Sequence, residues 1–380
     1  MFRRGWIIEI ATAAFFITGT ANADVVDDWL DGKNKVNWPE ITYDGPPITL
    51  RFTSAIPSSS TMVPLWNKGI PLLETMTNSK IVVSQFHNGT VHGALDGFKA
   101  VRENLSDLAV CYVSFRPQGF DLTRSYFYPF VSPSRPAVAN RVFAELAPKY
   151  LAPEFEKDGV LYAQTTHFGQ EGLVSTKPVA RLEDVEGLKV AASGAGVQFV
   201  EALGGTAVSV PPFDRYSAIQ TGVVDGTLFT DVAILSLRLY EVAKNHTVIN
   251  SGTTQLDHCV RKEWFEQLPS DLQRAFALWQ QGMAAAAVKI AVLEPKKELD
   301  ELYKQHDIRT IVLDEAETER WKAATKPALE AWLEQTEAAG KPARKFLDEI
   351  LKKSKSYELL SEDELFLLAI EEPVSTLVEF

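Results

Sequence analysis

Cysteine is nearly absent: the 380 residues contain two, Cys111 and Cys259, far apart in apolar stretches and without a Cys-x-x-Cys spacing. That excludes a zinc knuckle or a disulfide framework as the basis of the fold, and the apolar surroundings read as two unpaired buried thiols. Basic residues are in deficit, 38 Lys+Arg against 50 Asp+Glu, for a net charge of -12. A field of that sign repels phosphate backbones and argues against a nucleic-acid partner. Histidine is sparse as well, six in all. His87 and His92 flank one turn, but no further ligand completes a metal set, so neither metal nor cofactor is expected. The chain also lacks a Gly-x-Ser-x-Gly elbow, a P-loop and a His-Glu-x-x-His helix. Gly194-Ala195-Gly196 opens a helix with Phe199 where a dinucleotide turn needs its third glycine. No catalytic signature is left, and no enzymatic activity is expected.

What is present suits a folded protein of two or three domain-sized units, with 46% hydrophobic and 23% charged residues. The start carries Arg3 and Arg4, an apolar run from Ile10 to Ile17, and Ala21-Asn22-Ala23. These are the three parts of a secretory leader, cut after Ala23, and the apolar run is too short for a span of about 20 residues. Residues 24–47, rich in Asp, Gly and Pro, read as an exposed arm that ligand binding does not need. From Ile48 short β-type runs alternate with helical ones, and the rhythm restarts after Gly159. That alternation predicts an α/β protein of two lobes. Between Pro269 and His306, Leu272, Phe276, Trp279, Met283 and Leu293 recur at helical spacing up to Pro295, a helix long enough to cross both lobes. Residues 48–166 with about 255–290 form the expected first lobe, and 167–254 with about 291–353 the second. Residues 354–380 make an acidic, leucine-containing tail.

Three segments carry the most information: Glu183-Asp184-Val185-Glu186-Gly187-Leu188-Lys189-Val190, Leu203-Gly204-Gly205, and Ala218-Ile219-Gln220-Thr221-Gly222-Val223-Val224-Asp225-Gly226. In this order, with Asp107-Leu108-Ala109-Val110, Tyr128-Pro129-Phe130 and Trp264-Phe265-Glu266-Gln267-Leu268-Pro269, the chain resembles the solute-binding proteins of tripartite ATP-independent periplasmic (TRAP) transporters. The resemblance runs from about Ile48 to Lys353. It implies a two-lobed periplasmic receptor of the type II-like binding-protein fold, with its ligand cleft at the hinge. Its partners would be a small organic molecule and the membrane subunits of a TRAP transporter.

The resemblance breaks where the ligand would sit. The family places a carboxylate-binding arginine two residues after the lysine of "Gly-x-Lys", and here that place is Ala191. Glu171 falls where some members carry a second arginine, and Phe229 where a polar contact is usual. Two cations lost and an anion gained would repel a carboxylate, unless Arg116, Arg124 or Lys189 supplies the charge from elsewhere. An anion among Phe168, Phe229 and Tyr112 suits an amine or quaternary ammonium ligand, with a neutral polyol or aromatic compound as the nearest rival. Ser193, Asn88, Asp231 and Ser251 complete the candidate ligand-binding set with Glu171, Phe229, Tyr112 and Phe168. The rival functions are an exported α/β enzyme and a receptor serving a sensor protein.

Overall fold

The structure, a computed structural model, describes residues 24–116, 118–249 and 252–380. The expected leader and its cleavage site after Ala23 lie outside the described residues. Eleven strands are found among these: β1 (Ile48–Thr53), β2 (Ile81–Phe86), β3 (Leu108–Cys111), β4 (Leu161–Gln170), β5 (Gly172–Ser175), β6 (Lys189–Ala192), β7 (Thr206–Ser209), β8 (Gly226–Phe229), β9 (Asn245–Val248), β10 (Thr253–Val260) and β11 (Arg309–Val312). They form two sheets, β2-β1-β3-β10-β4 in the first lobe and β11-β9-β5-β8-β6-β7 in the second. Helices cover both sheets, and this is the expected two-lobed α/β architecture.

Each sheet is mixed for the same reason. In the first, β1, β2 and β3 run parallel, while β10 is antiparallel to both β3 and β4. In the second, β5 is antiparallel to β8 and β9. The antiparallel strands are those through which the chain changes lobe: β4 leads through Glu171 into β5, and the chain returns from β9 into β10. The Glu171 N–H donates to the Gly252 carbonyl at 3.0 Å, tying the two crossings together. Gly252 has φ +129°, and a side chain there would press on the Phe127 carbonyl.

Two helical segments also cross. Ser270–Ala287 buries Leu272, Phe276, Trp279 and Met283 in the first lobe, then continues through a π-helical turn, Val288–Leu293, into Glu294–Gln305. That last stretch buries Leu299 and Tyr303 against the second lobe. Pro295 does not end the helix, because it occupies the first turn of the new segment, where a missing N–H costs least. The helix Glu315–Ala338 is a second crossing: Trp321 packs beside Phe199 in the second lobe, and Trp332 packs on Tyr128 in the first. Phe346 and Ile350 are also buried in the first lobe. Assigning all of 291–353 to the second lobe is therefore corrected, since the chain after about Leu329 returns to the first.

Three further expectations are corrected. The arm is not exposed: Asp24 caps the helix Val25–Leu30, whose Trp29 is 0% exposed and meets Phe366 edge-on at 5.8 Å. The acidic tail is docked rather than free. Its helix Glu362–Glu371 buries Leu365, Phe366 and Ile370, and Asn37 of the arm donates to the Ile370 and Glu371 carbonyls. Spaced apolar residues, Trp29 here and Leu365, Phe366 and Ile370 there, outweigh the polar composition around them. Finally, Cys111 and Cys259 form a disulfide, with 6.0 Å between their Cα atoms. Distance along the chain hid the pairing, because β10 inserts beside β3 and lays Cys259 opposite Ala109.

Candidate functional site

An open cleft of about 820 Å³ lies between the lobes at the hinge. Six aromatic side chains stand among its aliphatic and polar wall residues. Tyr112, Phe115, Phe127 and Phe168 come from the first lobe, Phe213 and Phe229 from the second. Strand ends put them there: Tyr112 follows β3, Phe168 lies near the end of the buried run of β4, and Phe229 ends β8. This is the carboxyl-terminal edge at which open α/β sheets receive ligands.

The charged groups are Glu171 and Arg215. Glu171, at the β4–β5 crossing, accepts the Thr254 hydroxyl at 2.7 Å. Burial raises its pKa, and the Thr254 hydrogen bond and the Arg215 charge oppose that rise. Arg215, absent from the sequence-based candidates, is 2% exposed and stacks over the Phe229 ring at 4.3 Å. Its Nε donates to the Val210 carbonyl at 3.2 Å and its Nη1 to the Thr227 hydroxyl and the Leu228 carbonyl at 3.1 and 3.0 Å. Its Nη2 donates to the Ser193 hydroxyl at 3.4 Å. Burial lowers the Arg215 pKa to about 10, with Glu171 acting in the opposite sense, so the guanidinium stays charged at neutral pH. Of its five N–H groups, one on Nη2 has no partner among the described residues.

Arg215 changes the charge count inferred from the sequence. Ala191 is 0% exposed and packs in the second lobe's apolar core with Val174, Ile219 and Phe229 instead of lining the cleft. Its carbonyl accepts the same Thr227 hydroxyl that Arg215 contacts, so the guanidinium sits one hydrogen-bonded neighbour away. The cleft holds one cation and one anion, not an anion alone. Neither Arg116, paired with Asp158, nor Arg124, bonded to the Arg116 carbonyl, nor the exposed Lys189 supplies that cation. The available signal was a lone arginine behind Pro211-Pro212 at the start of the short helix before Gly222.

The cleft brings together Glu171, Phe229, Ser193, Tyr112 and Phe168. Asn88 stands outside it, where its side chain accepts the Ser58 N–H at 2.8 Å and so props the Ile56–Pro57 edge of the wall. Asp231 turns to the far side of the hinge, bound to Lys296 at 2.8 Å and 3.8 Å from His246. Ser251 lies outside the described residues. Three wall atoms, Thr230 Oγ1, Ser236 Oγ and Gln255 Oε1, are buried and have no hydrogen-bond partner among the described residues. Orphaned polar atoms in a cleft wall mark places that a ligand or water satisfies. No group of three or more His, Cys, Asp or Glu among the described residues converges as a metal site.

Two lobes joined by crossing strands and helices, with an aromatic cleft and a few converging polar groups at the hinge, define a solute receptor. Residues 55–336 match the family described as "Bacterial extracellular solute-binding protein, family 7" (DctP), and the chain belongs to that family of extracytoplasmic TRAP receptors. It is 25% identical over 230 residues to the C4-dicarboxylate-binding periplasmic protein DctP of Rhodobacter capsulatus, covering 60% of this chain and 69% of that one. A solute-binding protein of Sulfitobacter sp. strain NAS-14.1 is 32% identical over 120 residues, 31% of this chain and 36% of the relative. Among solved structures, the fold is shared with a TRAP solute-binding protein of Rhodoferax ferrireducens in complex with copurified benzoate. There the TM-score is 0.75 at 16% identity, over 82% of this chain and 98% of that chain. It is shared too with one of Bordetella bronchiseptica holding (R)- and (S)-mandelate, TM-score 0.74 at 21% identity, over 82% and 99%.

Proposed function

We propose that the protein is a periplasmic receptor that closes on a small aromatic ligand of zero net charge and delivers it to the membrane subunits of a TRAP transporter. The observation that carries the ligand class is that buried Arg215 and Glu171, each acting on the other's charge, line one cleft with six aromatic side chains. With one charge of each sign, a simple cation drawn to Glu171 also meets the guanidinium, and a dicarboxylate drawn to Arg215 also meets Glu171. A neutral or zwitterionic compound meets neither penalty, and flat apolar area suits the phenyl walls. Within the sequence-based alternatives this favours the neutral aromatic compound over the amine. Contacts from both lobes favour the closed form by the difference in affinity between closed and open states.

A second reading, an aromatic monocarboxylate, is supported by the charge of Arg215 in the cleft wall, and by relatives of this fold that hold benzoate and mandelate. A thermal-shift panel separates the readings. At a hundredfold excess over Kd the ligand adds about 2.7 kcal/mol of stability. Stabilisation by uncharged or zwitterionic aromatics, with the compound recovered unchanged, is the expected result. Stabilisation confined to aliphatic dicarboxylates or amines contradicts the ligand class, and conversion of the compound contradicts the receptor.

A further inference from the structure

The wall of the cleft continues into the first lobe as a buried polar seam along β10. Gln255 and Asp257 sit two apart, so both side chains leave the same face of the strand. Gln255 lies opposite His167 and is 5% exposed in the cleft wall; Asp257, one step deeper, lies opposite Thr165 on β4 and Cys111 on β3 and is 0% exposed. The Thr165 hydroxyl donates to Asp257 Oδ1 at 2.7 Å, and the Tyr162 hydroxyl donates to Thr165 at 2.9 Å. The other oxygen of the carboxyl, Oδ2, and Gln255 Oε1 are both buried without a partner among the described residues.

The two side chains share one face of β10, and a hydrogen bond from Gln255 acts on the Asp257 carboxyl. The surroundings do not hold Asp257 ionised. From β4 it is faced by Thr165 and Tyr162, with His167 two residues along opposite Gln255; from the segment Thr123–Phe127 by Tyr126; from β3 by disulfide-bonded Cys111; and from just beyond β3 by the Val113 N–H. None of the groups acting on it is a cation. His167 cannot serve as one, since burial lowers its pKa to about 3. Burial raises the Asp257 pKa to about 7, against the opposing pull of Thr165, the Val113 N–H and Gln255.

We propose that Gln255 is a specificity-determining residue whose hydrogen-bonding sense toward the ligand is set by the protonation of Asp257 beneath it. With Asp257 protonated, its O–H donates to Gln255 Oε1 and the amide NH₂ turns to the cleft, selecting an acceptor on the ligand. With Asp257 ionised, the amide turns over, its N–H donates to the carboxylate, and Oε1 turns to the cleft, selecting a donor. The two atoms of an amide exchange places at little steric cost. The specificity half of this proposal rests on the cleft being the ligand site; the proton link does not, and it is tested without any ligand.

The test is a pH titration of the whole protein by NMR, from about pH 5 to pH 9, following the Gln255 side-chain amide and the Asp257 carboxyl carbon in isotope-labelled protein. The Gln255 amide peak is assigned by its loss in Gln255→Met. The expected result is that both signals shift together with one midpoint near 7. In Asp257→Asn the amide shift disappears, and in Thr165→Val, which removes a donor to the carboxylate, the midpoint moves up. A Gln255 amide that stays constant in the wild-type protein, or an Asp257 carbon that reports an ordinary acidic midpoint, overturns the proposal with no variant required. Neither result touches the receptor reading, which the ligand panel decides.

Discussion

Trp29 offers the sharpest test of how the N-terminal segment is built into the body. Its indole is fully buried and lies directly on Gly282, where an added Cβ would come within 2.2 Å of the ring. Burying about 200 Å² at about 25 cal/mol per Å² is worth about 5 kcal/mol, an upper figure because unfolded chains bury some of it already. Trp29→Ala is thus expected to cost about 3–5 kcal/mol. Gly282→Ala in the wild-type background overpacks the same contact and should cost about 1–3 kcal/mol. In the Trp29→Ala background the clash is gone, and Gly282→Ala should gain up to about 1 kcal/mol from helix propensity. The sign of the Gly282 effect therefore reverses in a double-mutant cycle read by urea denaturation. Additive effects, or a deletion of residues 24–47 that leaves the denaturation midpoint unchanged, would refute this packing and return the segment to an exposed arm.

Other consequences follow from named groups. No thiol should react in the unfolded, unreduced protein and two should react after reduction; the Cys111–Cys259 link closes a separation of 148 residues, so its loss should cost about 5 kcal/mol by chain entropy. His167 and His258, held near 3 and 4 by burial, stay neutral in the fold, so stability present above pH 6.5 is lost as the pH falls and the unfolded chain takes up their protons. Asp257, raised to about 7, acts oppositely: its contribution falls as the pH rises from 3.8 toward 7. Replacing Asp257 by Asn should then steepen the stability loss on acidification around pH 5 by about 1.4 kcal/mol per pH unit, and an unchanged slope would count against the raised value. Arg215→Met should abolish ligand binding while Arg215→Lys weakens it, because an ammonium cannot reproduce the planar stack on Phe229.

The opening strand was legible in the sequence because Leu50 and Phe52, buried, alternate with Thr49 and Arg51. β1 begins at Ile48, where the alternating pattern was read to start, and Gly222 stands at a positive φ of +74° just after the helix Arg215–Gln220. β10 was hidden because it buries Gln255, Asp257 and His258, residue types that ordinarily mark the surface, and with it went the partner strand of the disulfide. β9 and β11 are short and polar, and they become strands through pairing with β5 and with each other. At the site, the register of the motifs pointed to Glu171 and Phe229, both of whose side chains line the cleft. It could not locate Arg215, whose guanidinium reaches β8 from a helix, because only the tertiary fold brings Thr227, Phe229 and Ser193 around it.

Native mass spectrometry of freshly purified wild-type protein beside Arg215→Met bears most directly on a receptor whose hinge cleft holds its ligand between Arg215 and Glu171. The expected result is one small aromatic molecule per wild-type chain, neutral or zwitterionic when identified, and its absence from a variant of unchanged circular dichroism. The same molecule retained in equal amount by both proteins, or an aliphatic diacid released from the wild type, would contradict that assignment of the site.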